Sequence, residues 1–379
     1  MESTVLEAVR VLEPQIRAAS DAIEDQRCLP PALAHALMEA GVFRMAVPRT
    51  CGGPELDPMA QVRVVEELSR IEGAVGWVSM ISTAGSFMSA FLKPEPAQRF
   101  FGSVASVVAG QLRPPQRADL TDGGYRVSGT FHFASGSDHA SVMMCTCTVY
   151  ENGRPRLTPA GNPEIRTMLV PVAKTKIVDV WDTTGMRGTG SNDFVVDHVF
   201  VPFDDCPSLG RPQCADPLYS WPPLFLVSHA GVPLGLARSA LDFVEELSTR
   251  KELMPGHPMR EDTQVQETIA TAEATIEAAR CYVYRTLEDL WATLCASERP
   301  APRQRAHYRL MMTHAHQTAK SVIGTLYDLA ATSAIFRSSP LERNMRDILT
   351  SSQHRVVHPK MYRPAGRLLL GLDPEELFF

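Results

Sequence analysis

Apolar and polar positions change their spacing twice along this chain. In the first third, Val64, Val65, Leu68 and Ile71 form one apolar face while Arg63, Glu66, Glu67 and Arg70 form the opposite one, the stripe of an amphipathic helix. Pro30 marks a helix start, and Gly41 a stop ahead of an extended stretch over residues 42–48. A second helical run begins near Gly76 and Trp77 and continues through Phe91. Further on the period becomes two. Tyr125, Val127, Phe131 and Phe133 alternate with Arg126, Ser128, Thr130 and His132, as in a half-buried strand. Residues 143–150, 167–172, 176–181 and 194–201 are further strands, rich in Val, Ile, Thr and aromatics and bounded by Gly, Pro, Asn and Asp. Pro202, Pro207, Pro212 and Pro217 then read as a linker. After Trp221 the helical period returns: Val265, Ile269, Ala272, Ile276, Ala279, Val283, Leu287 and Leu290 predict one long bundle helix, followed by another over residues 303–335.

The pattern divides the 379 residues into an N-terminal helical domain over residues 1–111, a central antiparallel β-barrel or sandwich over 112–208, and a C-terminal domain like a four-helix bundle over 209–379. A content of 44% hydrophobic and 21% charged residues is that of a globular protein. The net charge of -6 and the scatter of the basic residues argue against nucleic acid as a partner. Acids near the start, and no apolar stretch approaching about 18 residues, lead us to expect a cytoplasmic protein without a membrane span. The 8 cysteines form no Cys-x-x-Cys pair, which predicts free thiols and no structural metal.

Four segments carry more than periodicity. Near the end, Arg337-Ser338-Ser339-Pro340-Leu341-Glu342-Arg343-Asn344-Met345-Arg346-Asp347 precedes Ser352-Gln353-His354, placing a histidine two turns beyond an Arg-Asp pair on a helix. In the β region, the strand from Gly124 runs through Phe133 into Ser135-Gly136-Ser137. Beyond it lie Arg187-Gly188-Thr189-Gly190-Ser191 and the closing Gly366-Arg367-Leu368-Leu369-Leu370-Gly371. With the order helices, strands, helices over nearly the whole chain, they resemble the acyl-CoA dehydrogenase fold, and in particular the oxygenase components of two-component flavin-dependent monooxygenases.

That resemblance implies a multidomain α and β protein, packed as a homotetramer through its C-terminal helices. It also implies reduced FMN or FAD delivered by a separate NAD(P)H:flavin reductase, and O2 as co-substrate. In such enzymes a C4a-hydroperoxide passes one oxygen atom to a small organic substrate, aromatic or polycyclic. Dehydrogenases of this fold instead need a carboxylate, placed either after the C-terminal Arg-Asp segment or in the first helix of the last domain. Residues 348–358 and 223–235 contain none. By resemblance His354 is the acid or base, suited to it by an ordinary pKa of about 6.5. Ser135 or Ser137 sits near the flavin N5. Phe133, Gly136, Arg187, Thr189 and Ser191 complete the flavin side, and Trp77, Ser82 and Ser86 the substrate side.

Other readings compete. His354 can be a packing residue of its helix, and His358, four residues on, shares its face. Ser135-Gly136-Ser137 can be only a turn; with no Gly-x-Ser-x-Gly elbow it makes no hydrolase. The glycines from Gly185 to Gly190 do not form a dinucleotide-binding fingerprint, in keeping with NAD(P)H chemistry on another protein. His307, His314 and His316 on a bundle helix suggest interhelix packing before metal. Phenol-hydroxylating members of the family carry a histidine soon after Gly76-Trp77, and residues 78–87 have none, so small side chains there leave room for a bulkier substrate. A dehydrogenase-like flavin oxidoreductase, or a binding protein on the same scaffold, remains the alternative.

Overall fold

The structure is a computed structural model that describes residues 2–376. Five helices come first: α1 (Glu2–Gln26), α2 (Pro31–Glu39), α3 (Pro58–Ile71), α4 (Gly73–Ser86) and α5 (Pro94–Phe101). Seven strands follow: β1 (Val108–Thr121), β2 (Gly124–Ala134), β3 (Val142–Glu151), β4 (Arg154–Pro155), β5 (Ile165–Pro171), β6 (Lys176–Val178) and β7 (Asn192–Pro202). The chain closes with α6 (Gly231–Arg250), α7 (Thr263–Cys295), α8 (Pro302–Ala330), α9 (Pro340–Ser351) and α10 (Tyr362–Leu369). The order helices, sheet, helices is the one the sequence predicts. Contacts gather into two interleaved units, one of Met1–Leu56, Val78–Asp182 and Arg187–Phe225, the other of Asp57–Trp77, Thr183–Met186 and Leu226–Phe379.

In the first unit the sheet runs β4-β3-β1-β2-β7-β6, with β5 also paired to β3. Its centre is β1, which the sequence pattern does not show as a strand. Pro114 and Pro115 interrupt it, and the register to β3 shifts between Gln111 and Gln116, the kind of irregularity that lets proline sit in a sheet. The sheet is not purely antiparallel either, because β1 and β3 run parallel. Residues 42–48 are buried turns, not a strand: the carbonyls of Val42, Phe43 and Ala46 accept hydrogen bonds from Ser79, Ser82 and Tyr219 hydroxyls, so that backbone is satisfied without a ladder.

The second unit is a helical bundle. The apolar face predicted for α3 is buried, as are Val265, Ala272, Ile276, Ala279, Val283, Leu287 and Leu290 along α7. Two helical stretches, Gly73–Phe91 and Pro222–Arg250, are long and apolar enough to cross a membrane, contrary to the expectation that none would be. They are 94% and 89% buried inside the protein, where an all-round apolar helix also belongs. Helix α6 crosses α3 at a pair of glycines. A Cβ on Gly231 would stand 2.6 Å from the Val62 carbonyl oxygen, and one on Gly235 2.7 Å from the Arg70 nitrogen. The crossing therefore excludes even a methyl group. Gly235→Ala is expected to cost about 1–3 kcal/mol through overpacking, whereas Gly366→Ala, in α10 with nothing within 4 Å of its Cβ position, should be neutral or stabilising by up to about 1 kcal/mol. Denaturant titration of both variants checks the contrast.

Candidate active site

His354 is not on a helix. Helix α9 ends at Ser351, and His354 lies in the turn behind it, its N–H bonded to the Ser351 carbonyl. The Arg-Asp segment ahead of it works as a clamp within the second unit. Arg343 pairs with Glu72 at 3.2 Å, Arg346 with Glu342 at 2.6 Å, and the buried Asp347 carboxylate accepts the Met186 N–H. Trp77 presents its edge to the His354 ring at 5.5 Å between centroids. On its other flank stands a residue the sequence pattern does not single out: His229, 5.1 Å away. The two places where the resemblance puts a dehydrogenase carboxylate thus meet in space, and each carries an imidazole.

A third ring joins them from α8. His316 is fully buried; its charge is felt at His229, and that of His354 is felt at His316. Burial depresses all three pKa values. His354 is brought to about 4, with nearby Arg309 adding to the effect, and His316 to about 4. His229 falls well below its ordinary value, through burial first and then its two neighbours. His354 keeps partial surface exposure as a residue, but its Nδ1 is sealed from solvent, and the enclosure of the ring decides the direction. At neutral pH these imidazoles are uncharged, so His354 is a weaker base than an ordinary histidine. His358 is separated from them in role: it caps a short 3-10 turn, its ring accepting the Lys360 N–H.

The first unit gathers the other candidates. Phe133 does not continue the buried face of β2. Its backbone is left-handed, φ 59°, at a shift of register between Phe131 and Ala134, and the ring swings out to 69% exposure, edge-on to Trp181 at 6.2 Å. Behind it the hydroxyls of Ser135, Ser191 and Thr189 form a chain with two links of 2.6 Å each. The Gly136 N–H donates to the Thr189 carbonyl and the Ser137 hydroxyl to the Gly190 carbonyl, lacing the two loops together. Gly136 has φ 79°, and a Cβ there would meet Val78 at 2.9 Å. Arg187 faces elsewhere, paired with Glu24 at 3.6 Å and Asp182 at 3.0 Å. Ser82 and Ser86, placed by sequence on the substrate side, are buried with their hydroxyls bonded to the backbone of Phe43 and Thr83. They contribute small volume, not free donors.

His307 bonds Tyr282 at 2.8 Å and His314 packs its edge on the same ring, so two of the three α8 histidines are interhelix residues. Among the described residues no cluster of His, Cys, Asp and Glu has the arrangement of a metal site. His229 could have been noticed in the sequence as the one titratable side chain in the run of residues 222–230, whose only other polar residue is Ser228.

This arrangement, on this order of domains, defines an acyl-CoA dehydrogenase-fold protein. The N-terminal domain of the acyl-CoA dehydrogenases matches residues 2–107, and their C-terminal domain matches residues 227–359. An indole-3-acetate monooxygenase of Pseudomonas putida is 30% identical over 94% of this chain and 91% of its own. The oxygenase subunit HsaA of a flavin-dependent monooxygenase, from Rhodococcus jostii, is 28% identical over 94% and 95%. Among solved structures, the 3-HSA hydroxylase from Rhodococcus sp. RHA1 superposes with a TM-score of 0.91 at 27% identity, covering 99% of both chains. The chain belongs to the flavin-dependent monooxygenases of the acyl-CoA dehydrogenase fold.

The buried imidazoles also fix how stability depends on pH. Each has a folded pKa below its unfolded value near 6.5, so between that value and about 4 the unfolded chain binds more protons. The stability they contribute is present above about pH 6.5 and is lost as pH falls through 4. The melting temperature should drop on acidification across this window, and His316→Gln should flatten the drop. An unchanged slope in the variant would show that carboxylates carry it.

Proposed function

We propose that this chain is the oxygenase component of a two-component system. It takes reduced FMN or FAD from a separate NAD(P)H:flavin reductase and places one atom of O2 into an aromatic substrate. The observation that carries this reading is the pair His354 and His229, neutral imidazoles beside Trp77 at the two positions where a dehydrogenase of this fold holds its carboxylate. A neutral imidazole accepts or returns one proton at a hydroxyl or ring N–H, the service a general acid or base performs.

The residues of the first unit fit a flavin. The exposed Phe133 ring with Trp181 would offer an apolar edge to a planar ring system, the laced loops at Gly136 and Gly190 would bring backbone close to it, and Ser135 would be the hydroxyl nearest its N5. Reduced flavin supplies the electrons that activate O2. The chain's own work is to orient the substrate, exclude water and hold the proton. The aromatic wall of Trp77 favours an aromatic substrate, the class to which the name of the Pseudomonas putida relative points. For assembly we infer a homotetramer, supported by the apolar side chains of Ile335 and Phe336 left exposed just past α8. Sedimentation at micromolar concentration should give four chains; a monomer would exclude this.

Stopped-flow mixing of the protein and reduced flavin with O2 should show a transient before reoxidation, and no NAD(P)H should be consumed by this chain alone. Bleaching of bound oxidised flavin by an acyl-CoA would establish a dehydrogenase. His354→Asn should keep the fold and reduced-flavin affinity while hydroxylation drops by about 10²- to 10⁴-fold and hydrogen peroxide is released in its place. His358→Asn should do little. Equal and mild effects of the two would leave His354 a packing residue.

A further inference from the structure

Beyond the turn that holds His354, residues 353–376 of the second unit enclose a cavity of 580 Å³. Sites for small molecules have volumes of about 300–1,000 Å³. Arg355, Lys360 and Arg363 bring three positive charges to it, and Glu375 and Glu376 of the closing segment bring two negative ones. Both carboxylates are engaged. Glu376 offers its two oxygens to the Arg355 guanidinium at 2.8 and 2.9 Å, and Glu375 is bridged between Arg363 at 2.7 Å and Arg367 at 2.6 Å, one guanidinium on each oxygen. This is carboxylate recognition by forked donors. Lys360 is exposed and pairs with no carboxylate among the described residues, so one cation of the cavity is left unmatched. Met361, Pro364 and Pro374 supply apolar wall beside these charges.

We propose that this cavity is a binding site for a small organic carboxylate with an apolar ring or chain, and that Glu375 and Glu376 are its internal competitors. The ligand's carboxylate replaces that of Glu375 on Arg363, Lys360 matches the charge, and the apolar part lies on Met361 and Pro364. The closing segment is built to yield. The Arg355 and Arg363 side chains are 59% and 69% exposed, so solvent screens their pairs and leaves each one weak. Glu375, which carries the bridging carboxylate, also has a left-handed backbone, φ 56°, a conformation that a residue other than glycine adopts at a cost. A ligand that takes over the guanidiniums relieves that strain as it displaces the segment. His354, although it stands between Gln353 and Arg355 in sequence, is not part of the lining. The site is therefore distinct from the imidazoles and does not depend on the function proposed above.

Titration calorimetry of the full chain with phenylacetate tests the site. Phenylacetate should bind, and inorganic phosphate, which lacks the ring, and benzyl alcohol, which lacks the charge, should each bind about tenfold more weakly or worse. The double variant Glu375→Gln, Glu376→Gln removes the competitors and should bind phenylacetate about threefold or more tightly than the wild type, whereas Arg363→Met and Lys360→Met should each weaken it about tenfold. Hydrogen exchange of the Glu375 N–H, which donates to the Asp373 carboxylate at 2.7 Å, should quicken as phenylacetate fills the site. Absence of binding in both the wild type and the glutamine double variant overturns the proposal. An affinity indifferent to Arg363→Met and Lys360→Met places phenylacetate elsewhere and overturns it too. Equal affinity for phosphate would leave a surface that selects charge alone and no site for an organic acid.

Discussion

Helix α9 holds its place by charge, and the position of His354 depends on that. Arg343 reaches the buried Glu72 at the end of α3, and Asp347, itself buried, takes the backbone N–H of Met186. Arg346, braced by Glu342, caps the carbonyl of Thr184. Buried charges left single cost several kcal/mol, so each of these groups is tied to a specific partner and the helix has one seating. The Gly185 backbone then packs so closely on α9 that its Cβ position falls against the carbonyl of Arg346. The turn that follows delivers His354 to Trp77.

What the turn delivers is an uncharged ring. Imidazoles packed together and away from water lower one another's pKa and lose more to desolvation, so the cluster is stable only in its neutral form. The same constraint couples stability to pH, because acid that charges the rings removes the stability that their neutral burial contributes.

In the first unit the equivalent constraint is on the backbone. The register shift near Phe133 and the left-handed turns at Gly136 and Gly190 bring two loops together, and the hydroxyls of Ser135, Ser191 and Thr189 close the gap. Breaking the alternation of β2 at that point is what turns an aromatic ring outward instead of into the core.

Periodicity alone determined most of the architecture: the faces of α3 and α7, the strands around Tyr125 and Val196, and the helix-sheet-helix order follow from which residues must leave water. Periodicity did not supply His354 or the serines as candidates; the resemblance of their segments to a known family did. Nor did periodicity reveal β1, whose prolines hide a central strand, or the outward turn of Phe133, because a bulge overrides the period of two without marking the sequence. His229 and His316 lie 87 positions apart in the sequence, and neither carries a local sign of the other. Only packing three helical segments around His354 brought the rings together, and only their shared desolvation made them neutral. Residue identity fixed the chemistry available, while tertiary burial decided the charge each ring would carry.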